Sequence, residues 1–153
     1  MQYLTFTLED IEFAVEVGVV ETVVDYAGIT SVPTSLDYVR GVMDLRGRTV
    51  AVVDLRRKFG LPDNEKAAAS RVIVLTVSPD GVGRETVGAL VDDVSEVISL
   101  TGDAAPQEGG ERSEFWRRYV RGIARVEGRM IVLIDSRALF SPDELDSVSA
   151  EAV

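Results

Sequence analysis

Apolar and polar residues alternate along most of this chain, with the period of two that is typical of β-strands. Residues 3–8 and 12–17 each alternate in this way and are separated by Glu9-Asp10, which predicts a β-hairpin with one buried face. Other segments are rich in Val and Ile, which suit a pleated and half-buried surface. These predicted strands are Val19–Val24, Gly41–Leu45, Thr49–Val53, Val72–Val77, Thr86–Val91, Val94–Leu100, Val120–Val126 and Met130–Ile134.

Helices are predicted to be few and short. Asp54 is a good N-cap for a helix over residues 55–59, and Gly60 is a typical stop signal. A second helix is predicted from the sequence Ser-Pro-Asp-Glu at 141–144, where Pro occupies the first helical position, and it would end near Ser149. The remaining long segments carry turn-forming residues without periodicity. We therefore expect loops at residues 62–70 and 101–113 and a disordered tail at residues 149–153.

The chain contains an internal repeat. VRGVMDLRGRTVAVVDLRRKF (Val39–Phe59) aligns without gaps to VRGIARVEGRMIVLIDSRALF (Val120–Phe140), and a weaker similarity relates residues 15–23 to residues 89–97. Each half is therefore predicted to form a strand, a Gly-centred hairpin, a strand and a short helix, and two similar small barrels packed together would satisfy this pattern. Identical pairs of the main repeat include Arg40/Arg121, Gly41/Gly122, Gly47/Gly128, Arg48/Arg129, Asp54/Asp135, Arg56/Arg137 and Phe59/Phe140.

Composition excludes several classes of function. The chain has 153 residues, a formal net charge of −10 and neither Cys nor His, so disulfides, thiolate nucleophiles, imidazole bases and Cys/His zinc sites are impossible. Such an acidic chain is a poor partner for nucleic acid or anionic membranes. The first residues do not resemble a signal peptide and no apolar run approaches about 18 residues, so we expect a cytoplasmic protein with no direct membrane insertion.

The repeat unit VRGVMDLRGRTVAVVDLRRKFG resembles the signature of the CheW family, the adaptor proteins of bacterial chemotaxis. In that signature a G-V-x-N-L-R-G hairpin leads into a V-P-V-x-D-L-R strand and a short helix. FTLEDIEFAVEVGVVETV, VGALVDDVSEVISLT and YVRGIARVEGRMIVLIDSRALFS are similar to other blocks of the family in the right order. Two positions depart from the pattern, since Asp44 stands in place of the usual Asn and Ala51 in place of a common Pro. Either change could alter the choice of partner.

The resemblance implies a fold and a function. It implies a mainly all-β protein with two five-stranded SH3-like barrels on a shared hydrophobic core, forming one CheW-like domain over residues 1–148. It also implies an adaptor without catalysis, metal or cofactor that is recruited to membrane-associated receptor arrays. Its partners would be the cytoplasmic tip of methyl-accepting chemotaxis proteins and the regulatory domain of a CheA-type histidine kinase. The receptor-binding positions carried over by the resemblance are Val20, Gly41 and Arg46, with Asp44 and Leu45 beside them.

These residues also have ordinary structural explanations. Gly41 could serve only the geometry of the sheet, Val20 could be part of the core, and Arg46 could be a solvated turn residue. Arg40, Arg48 and Arg56 lie in the most basic stretch of the sequence, and they predict a patch that faces an acidic protein partner rather than nucleic acid. For Arg57 and Lys58, a simpler explanation is that their charged side chains are solvated and belong to no binding patch.

Two other functions stay open at this stage. One is a CheW-like adaptor of a related pathway, such as pilus or surface motility control. The other is a β-barrel that binds a small molecule, which would need a concave pocket with convergent polar groups. The sequence shows no sign of such a pocket, and we expect no small-molecule substrate.

Overall fold

The structure is a computed structural model in which part of the chain is described. The predicted loops at 62–70 and 101–113 lie almost wholly outside that part, and the predicted helix and tail beyond residue 140 lie wholly outside it. None of the described helices is long and apolar enough to cross a membrane. The described residues are 1–26, 28–31, 37–61, 70–78, 84–100 and 114–140.

Ten strands account for most of the described residues, and all the predicted strands are present within one or two residues of their expected bounds. One difference concerns residues 17–19, which form a 3-10 turn instead of continuing a strand. The strands are β1 Gln2–Leu8, β2 Ile11–Glu16, β3 Val20–Asp25, β4 Val39–Leu45, β5 Arg48–Asp54, β6 Arg71–Val77, β7 Glu85–Val91, β8 Asp93–Ser99, β9 Val120–Val126 and β10 Arg129–Ile134.

The strands form two five-stranded sheets, as the predicted fold class requires. The first barrel has the strand order β8-β1-β2-β10-β9, and the second barrel has the order β3-β6-β7-β5-β4. The repeat had suggested that each half of the chain forms one barrel. The structure shows a different arrangement. The chain passes from the first barrel to the second after β2 and returns after β7, so the first barrel combines both ends of the described chain. The weaker sequence similarity between residues 15–23 and 89–97 marks these two passages.

Most strands are buried on both faces, and the period of two decides which core each side chain enters. On β6, Ile73 and Leu75 enter a core shared by the two barrels, whereas Val72 and Val74 enter a core within the second barrel. A third cluster, which includes Tyr3, fills the first barrel. The prediction that the first hairpin has one buried face was therefore wrong, because the second face packs inside its own barrel.

Three short helices complete the described structure: α1 Leu55–Lys58, α2 Glu114–Tyr119 and α3 Ser136–Leu139. Helix α1 confirms the N-cap prediction, since the Asp54 carboxylate accepts hydrogen bonds from the backbone N–H groups of Arg56 and Arg57. Asp135 caps α3 as the repeat implies, by accepting a hydrogen bond from the backbone N–H of Arg137. Helix α2 was not predicted.

Aromatic side chains join the two barrels across the shared core. Phe59, which follows α1 of the second barrel, has its ring centroid 5.9 Å from that of Phe13 on β2 and 5.4 Å from that of Tyr119 at the end of α2. Aromatic pairs at such distances add to the area that they bury. The short helices therefore hold the two barrels against each other, and this arrangement sets the shape of the surface between them.

Candidate functional site

The turn between β4 and β5 carries two of the predicted receptor contacts on its outer side. Arg46 and Gly47 have φ values of 53° and 85°, so both adopt the left-handed conformation of a tight hairpin turn. Asp44 and Arg46 are exposed, and neither has an ion-pair partner within the described part of the chain. Leu45 points the other way and is buried in the core of the second barrel. The side chain of Leu45 therefore anchors the turn, and those of Asp44 and Arg46 are available to a partner.

An ion pair holds this turn close to Val20. Arg48, the first residue of β5, donates a hydrogen bond to the carboxylate of Glu21, the neighbour of Val20 on β3. The same carboxylate accepts a hydrogen bond from the Thr76 hydroxyl at 3.3 Å. Val20 itself is half-buried and packs against the shared core. The structure thus brings Val20 and the β4–β5 turn to one end of the second barrel.

Val20 also lies in the wall of an open groove between the two barrels. The groove has a volume of about 470 Å³, and both barrels contribute to it. No such concavity could be recognised in the sequence, because its walls come from four separate parts of the chain. The lining residues are Glu16, Gly18, Val19, Val20, Glu21, Thr76, Val77, Ser78, Arg84, Ser136 and Arg137.

Gly41 has a structural role that explains its presence on β4. It is buried, and a Cβ atom at this position would lie 2.1 Å from the carbonyl oxygen of Thr30. Thr30 and Val42 exchange two backbone hydrogen bonds, each of 2.8 Å, which fixes the Thr30 segment directly over Gly41. The close approach that Gly41 permits is therefore made by this chain itself. Its contact with a receptor stays a prediction.

The three arginines of the predicted basic patch have different environments. Arg40 donates to the Asp54 carboxylate at 3.1 Å, and Arg48 is paired with Glu21 as described. Arg56 is only 6% exposed, so its assignment to an exposed patch was wrong. Its guanidinium binds Asp92 with Nε–Oδ1 and Nη2–Oδ2 distances of 2.5 and 2.6 Å, and it also binds Glu9. Asp92 and Glu9 are far from Arg56 in sequence, and the sequence pattern does not reveal that they converge.

Arg56 joins the two barrels at the point where the chain passes back from β7 to β8. It belongs to α1 of the second barrel, whereas Glu9 lies in the turn between β1 and β2 of the first. The Asp92 carboxylate also accepts a hydrogen bond from the Glu9 backbone N–H at 2.8 Å. The hydrogen bonds to Asp92, opposed by desolvation and assisted by Glu9, raise the pKa of Arg56 above its ordinary value. A raised arginine pKa stabilises the folded state at every pH below the ordinary value, so this connection persists throughout the neutral range.

Comparison with known proteins identifies the family. The CheW-like domain family model matches residues 2–144. The chain belongs to the CheW family. A Rhizobium etli protein described as "Probable chemotaxis protein CheW" is 32% identical over 146 residues, which cover 95% of this chain and 91% of that protein. The chemotaxis protein CheW of Klebsiella aerogenes is 31% identical, with 94% of this chain and 84% of that protein covered.

A solved structure shows the same fold. The crystal structure of the scaffolding protein CheW from Thermoanaerobacter tengcongensis matches with a TM-score of 0.77 and 28% identity, covering 91% of each chain. Both the two-barrel fold class and the family resemblance are therefore confirmed. The CheW family consists of non-catalytic chemotaxis adaptor and scaffold proteins, and this chain is one of its members.

The adjacent carboxylates of Asp92 and Asp93 make separate contacts in this CheW-family chain. Asp92 is held by Arg56, and its neighbour Asp93 accepts a hydrogen bond from the backbone N–H of Val94 at 2.9 Å. Within the described ranges, no group of three or more acidic side chains could hold a metal ion. Neighbouring side chains on an extended chain point to opposite faces, which is consistent with the different partners of these two carboxylates.

Two residues of the groove, Arg84 and Arg137, were not singled out from the sequence. In the sequence Arg137 is the repeat partner of Arg56, and nothing local distinguishes the buried arginine from the one that lines the groove. Arg84 is exposed just before β7. Recognising these residues from the sequence would have required knowing how the two barrels are placed against each other.

Proposed function

We propose that this chain is a chemotaxis coupling protein that links methyl-accepting chemoreceptors to a CheA-type histidine kinase. The observation that carries the proposal is the agreement of family, sequence and fold over nearly the whole chain. One surface binds the receptor tip and another binds the regulatory domain of the kinase. The adaptor works in the cytoplasm at membrane-associated arrays, where receptor state biases kinase activity through contacts that differ between the active and inactive states.

The proposed receptor surface comprises Val20, Gly41, Asp44, Leu45 and Arg46. Val20 supplies apolar area beside the groove, and Asp44 and Arg46 supply exposed charges that are unpaired within the described residues. An arginine can form a bidentate pair with a carboxylate on a receptor helix. Leu45 and Gly41 are buried and support this surface. Leu45 anchors the turn in the core, and Gly41 leaves room for the Thr30 segment.

The decisive experiment is a calorimetric titration of this chain into the isolated regulatory domain of the CheA-type kinase from the same genome. We expect a dissociation constant of about 10 µM or tighter, which corresponds to roughly −7 kcal/mol. No heat and no complex at high concentration would contradict a role as adaptor for this kinase. A CheW-like protein of a parallel motility pathway would instead bind the kinase encoded beside its own gene.

The receptor surface is tested by reversing the charge of its turn. Arg46→Glu should weaken binding to a receptor cytoplasmic fragment at least severalfold and leave the thermal midpoint nearly unchanged, because the side chain is exposed. The matched control is Glu127→Arg, which reverses the charge at the equivalent left-handed position of the other repeat. Equal receptor affinity of the wild type and Arg46→Glu would remove Arg46 from the proposed surface.

A further inference from the structure

A cluster of aromatic rings surrounds the ammonium group of Lys58 where the two barrels meet. Its Nζ lies 4.4 Å from the ring centroid of Tyr38, 5.4 Å from that of Phe140 and 5.9 Å from that of Tyr119. At such distances the face of an aromatic ring attracts a cation. Lys58 and Tyr38 belong to the second barrel. Tyr119 and Phe140 lie on either side of the last two strands of the first barrel, so the cation is shared by the two barrels.

The junction is built from equivalent parts of the two repeats. Tyr38 and Tyr119 each stand directly before the Val-Arg-Gly that opens their repeat. The backbone carbonyl of Tyr38 accepts a hydrogen bond from the N–H of Asp54 at 2.7 Å. That of Tyr119 accepts one from the N–H of Asp135, the repeat counterpart of Asp54, at 2.9 Å. The two tyrosines are therefore held in the same way, one in each barrel.

The cation itself breaks this equivalence. The position that corresponds to Lys58 in the other repeat is Leu139, whose side chain is fully buried. Because a leucine fills the equivalent place by packing alone, packing does not explain a lysine here. Of the 16 residues that are Lys or Arg, only Lys58 and Lys66 are lysines. The chain therefore places one of its few amines, and not an arginine, among the rings.

An amine differs from a guanidinium in a property that matters at such a site. A lysine side chain can be acylated, which replaces its ammonium with a neutral amide, whereas an arginine keeps its charge. The attraction of the ring faces depends on the positive charge. Lys58 is only half-buried, so its side chain is partly open to a small acyl donor. Acylation of Lys58 would remove its attraction to the rings of both barrels.

We propose that Lys58 is an acylation-sensitive latch between the two barrels, with a small acyl phosphate as the acyl donor. The neutral amine attacks the acyl carbonyl, and the bond between that carbon and the phosphate oxygen breaks. Phosphate leaves with the electron pair of that bond, and the nitrogen releases a proton to water. An ammonium among the rings has no lone pair to offer, so the reaction occurs while the junction is briefly open. The amide cannot return as a cation, and the junction stays loosened.

The dependence on charge is tested by two modifications of the same amine in the K66R variant, in which Lys58 is the only lysine. Acetyl phosphate acetylates the amine and removes its charge, whereas reductive methylation keeps the charge. Amide hydrogen exchange in α1 and α2 is then measured by mass spectrometry. We expect acetylation to accelerate exchange in both helices about fivefold, and methylation to change it less than about twofold. Equal exchange rates in the two modified proteins would overturn the proposal.

Two matched variants separate Lys58 from the N-terminal amine, which the reagents also modify. K58R/K66R keeps the positive charge but has no lysine, and K58L/K66R copies Leu139 of the other repeat. Treatment with acetyl phosphate should leave hydrogen exchange in both variants unchanged. An acceleration in K58R/K66R equal to that in K66R would overturn the proposal, because acetylation at the N-terminus would then explain the effect.

The protection of the amine by the rings is tested by its rate of acetylation. Mass spectrometry gives the rates at Lys58 and Lys66 in the same sample, so their ratio can be compared between variants. Tyr38→Leu removes the nearest ring and should raise the rate at Lys58 at least about threefold relative to Lys66. The matched control Tyr26→Leu changes a half-buried tyrosine that packs on the core of the second barrel, and it should leave the ratio unchanged. A ratio that Tyr38→Leu does not change would overturn the proposal, and so would the absence of acetylation at Lys58 in both the wild type and Tyr38→Leu.

Discussion

The two copies of the repeat share a backbone and differ in how their charges are used. At their hairpin turns, Arg46 and Glu127 have nearly the same left-handed conformation, with φ values of 53° and 50°. Their charges are nonetheless opposite. Arg48 and Arg129, which are identical in the repeat, both form ion pairs with glutamates. The turn geometry is thus common to the two repeats, whereas the charge at the tip of the turn differs between them.

The contrast is strongest between Arg56 and Arg137, which occupy the same position of the repeat. Arg56 is buried and bound to two carboxylates, while Arg137 lines an open groove. The difference arises outside the repeats, because Asp92 and Glu9 converge on Arg56. One arginine therefore connects the barrels, and the other is available to a partner. A repeated sequence conserves caps and turns, but residues elsewhere in the chain decide what each copy does.

The largest expected effect on stability comes from replacing Arg56, the buried arginine of this pair. Arg56→Met should destabilise the protein by about 3–5 kcal/mol, because it leaves the Asp92 carboxylate without its partner. Arg137→Met should change stability by less than about 0.5 kcal/mol, since its side chain lies on the surface. Urea unfolding monitored by circular dichroism measures both. Similar losses in the two variants would mean that the repeats use these arginines alike.

An intermediate effect on stability is expected at the glycines. Gly41, which lies beneath Thr30, should tolerate substitution less well than the turn glycines Gly47 and Gly128. Gly41→Ala should cost about 3 kcal/mol, because its Cβ would overlap the Thr30 carbonyl and its backbone is strained for other residues. Gly47→Ala and Gly128→Ala should each cost only about 1 kcal/mol, since both are left-handed and open to solvent. Thermal unfolding of the three variants measures this order. A tolerated alanine at position 41 would leave partner contact as the explanation for Gly41.

The smallest effect concerns the two helix caps. Asp54 is buried, caps two backbone N–H groups and accepts from Arg40, whereas Asp135 is half-buried and caps one. We expect Asp54→Ala to cost about 2 kcal/mol and Asp135→Ala about 1 kcal/mol. Equal costs, measured by urea unfolding, would show that capping alone matters and that the Arg40 pair adds nothing.

Local features of the sequence were sufficient to predict the strands, the turns and both caps. The alternation of residues 72–77, for example, predicts a strand whatever surrounds it, and Asp54 caps α1 through atoms a few residues away. Apart from helix α2 and the 3-10 turn at residues 17–19, the prediction failed where distant segments meet. The burial of Arg56 depends on Glu9 and Asp92, and the groove depends on how the barrels pack. The pairing of β2 with β10 joins residues more than a hundred positions apart, and no local pattern specifies it.

The passage of the chain between the barrels has a consequence for the order of folding. The second barrel is built from the continuous segment between β3 and β7, so it can close while later residues are still being synthesised. The first barrel cannot close, because β2 must wait for β10 and β1 for β8. Non-local pairings of this kind are also slow to form. Ser136 and Arg137 complete the groove only after that step, so a nascent or truncated chain would display the turn of the second barrel without a finished groove beside it.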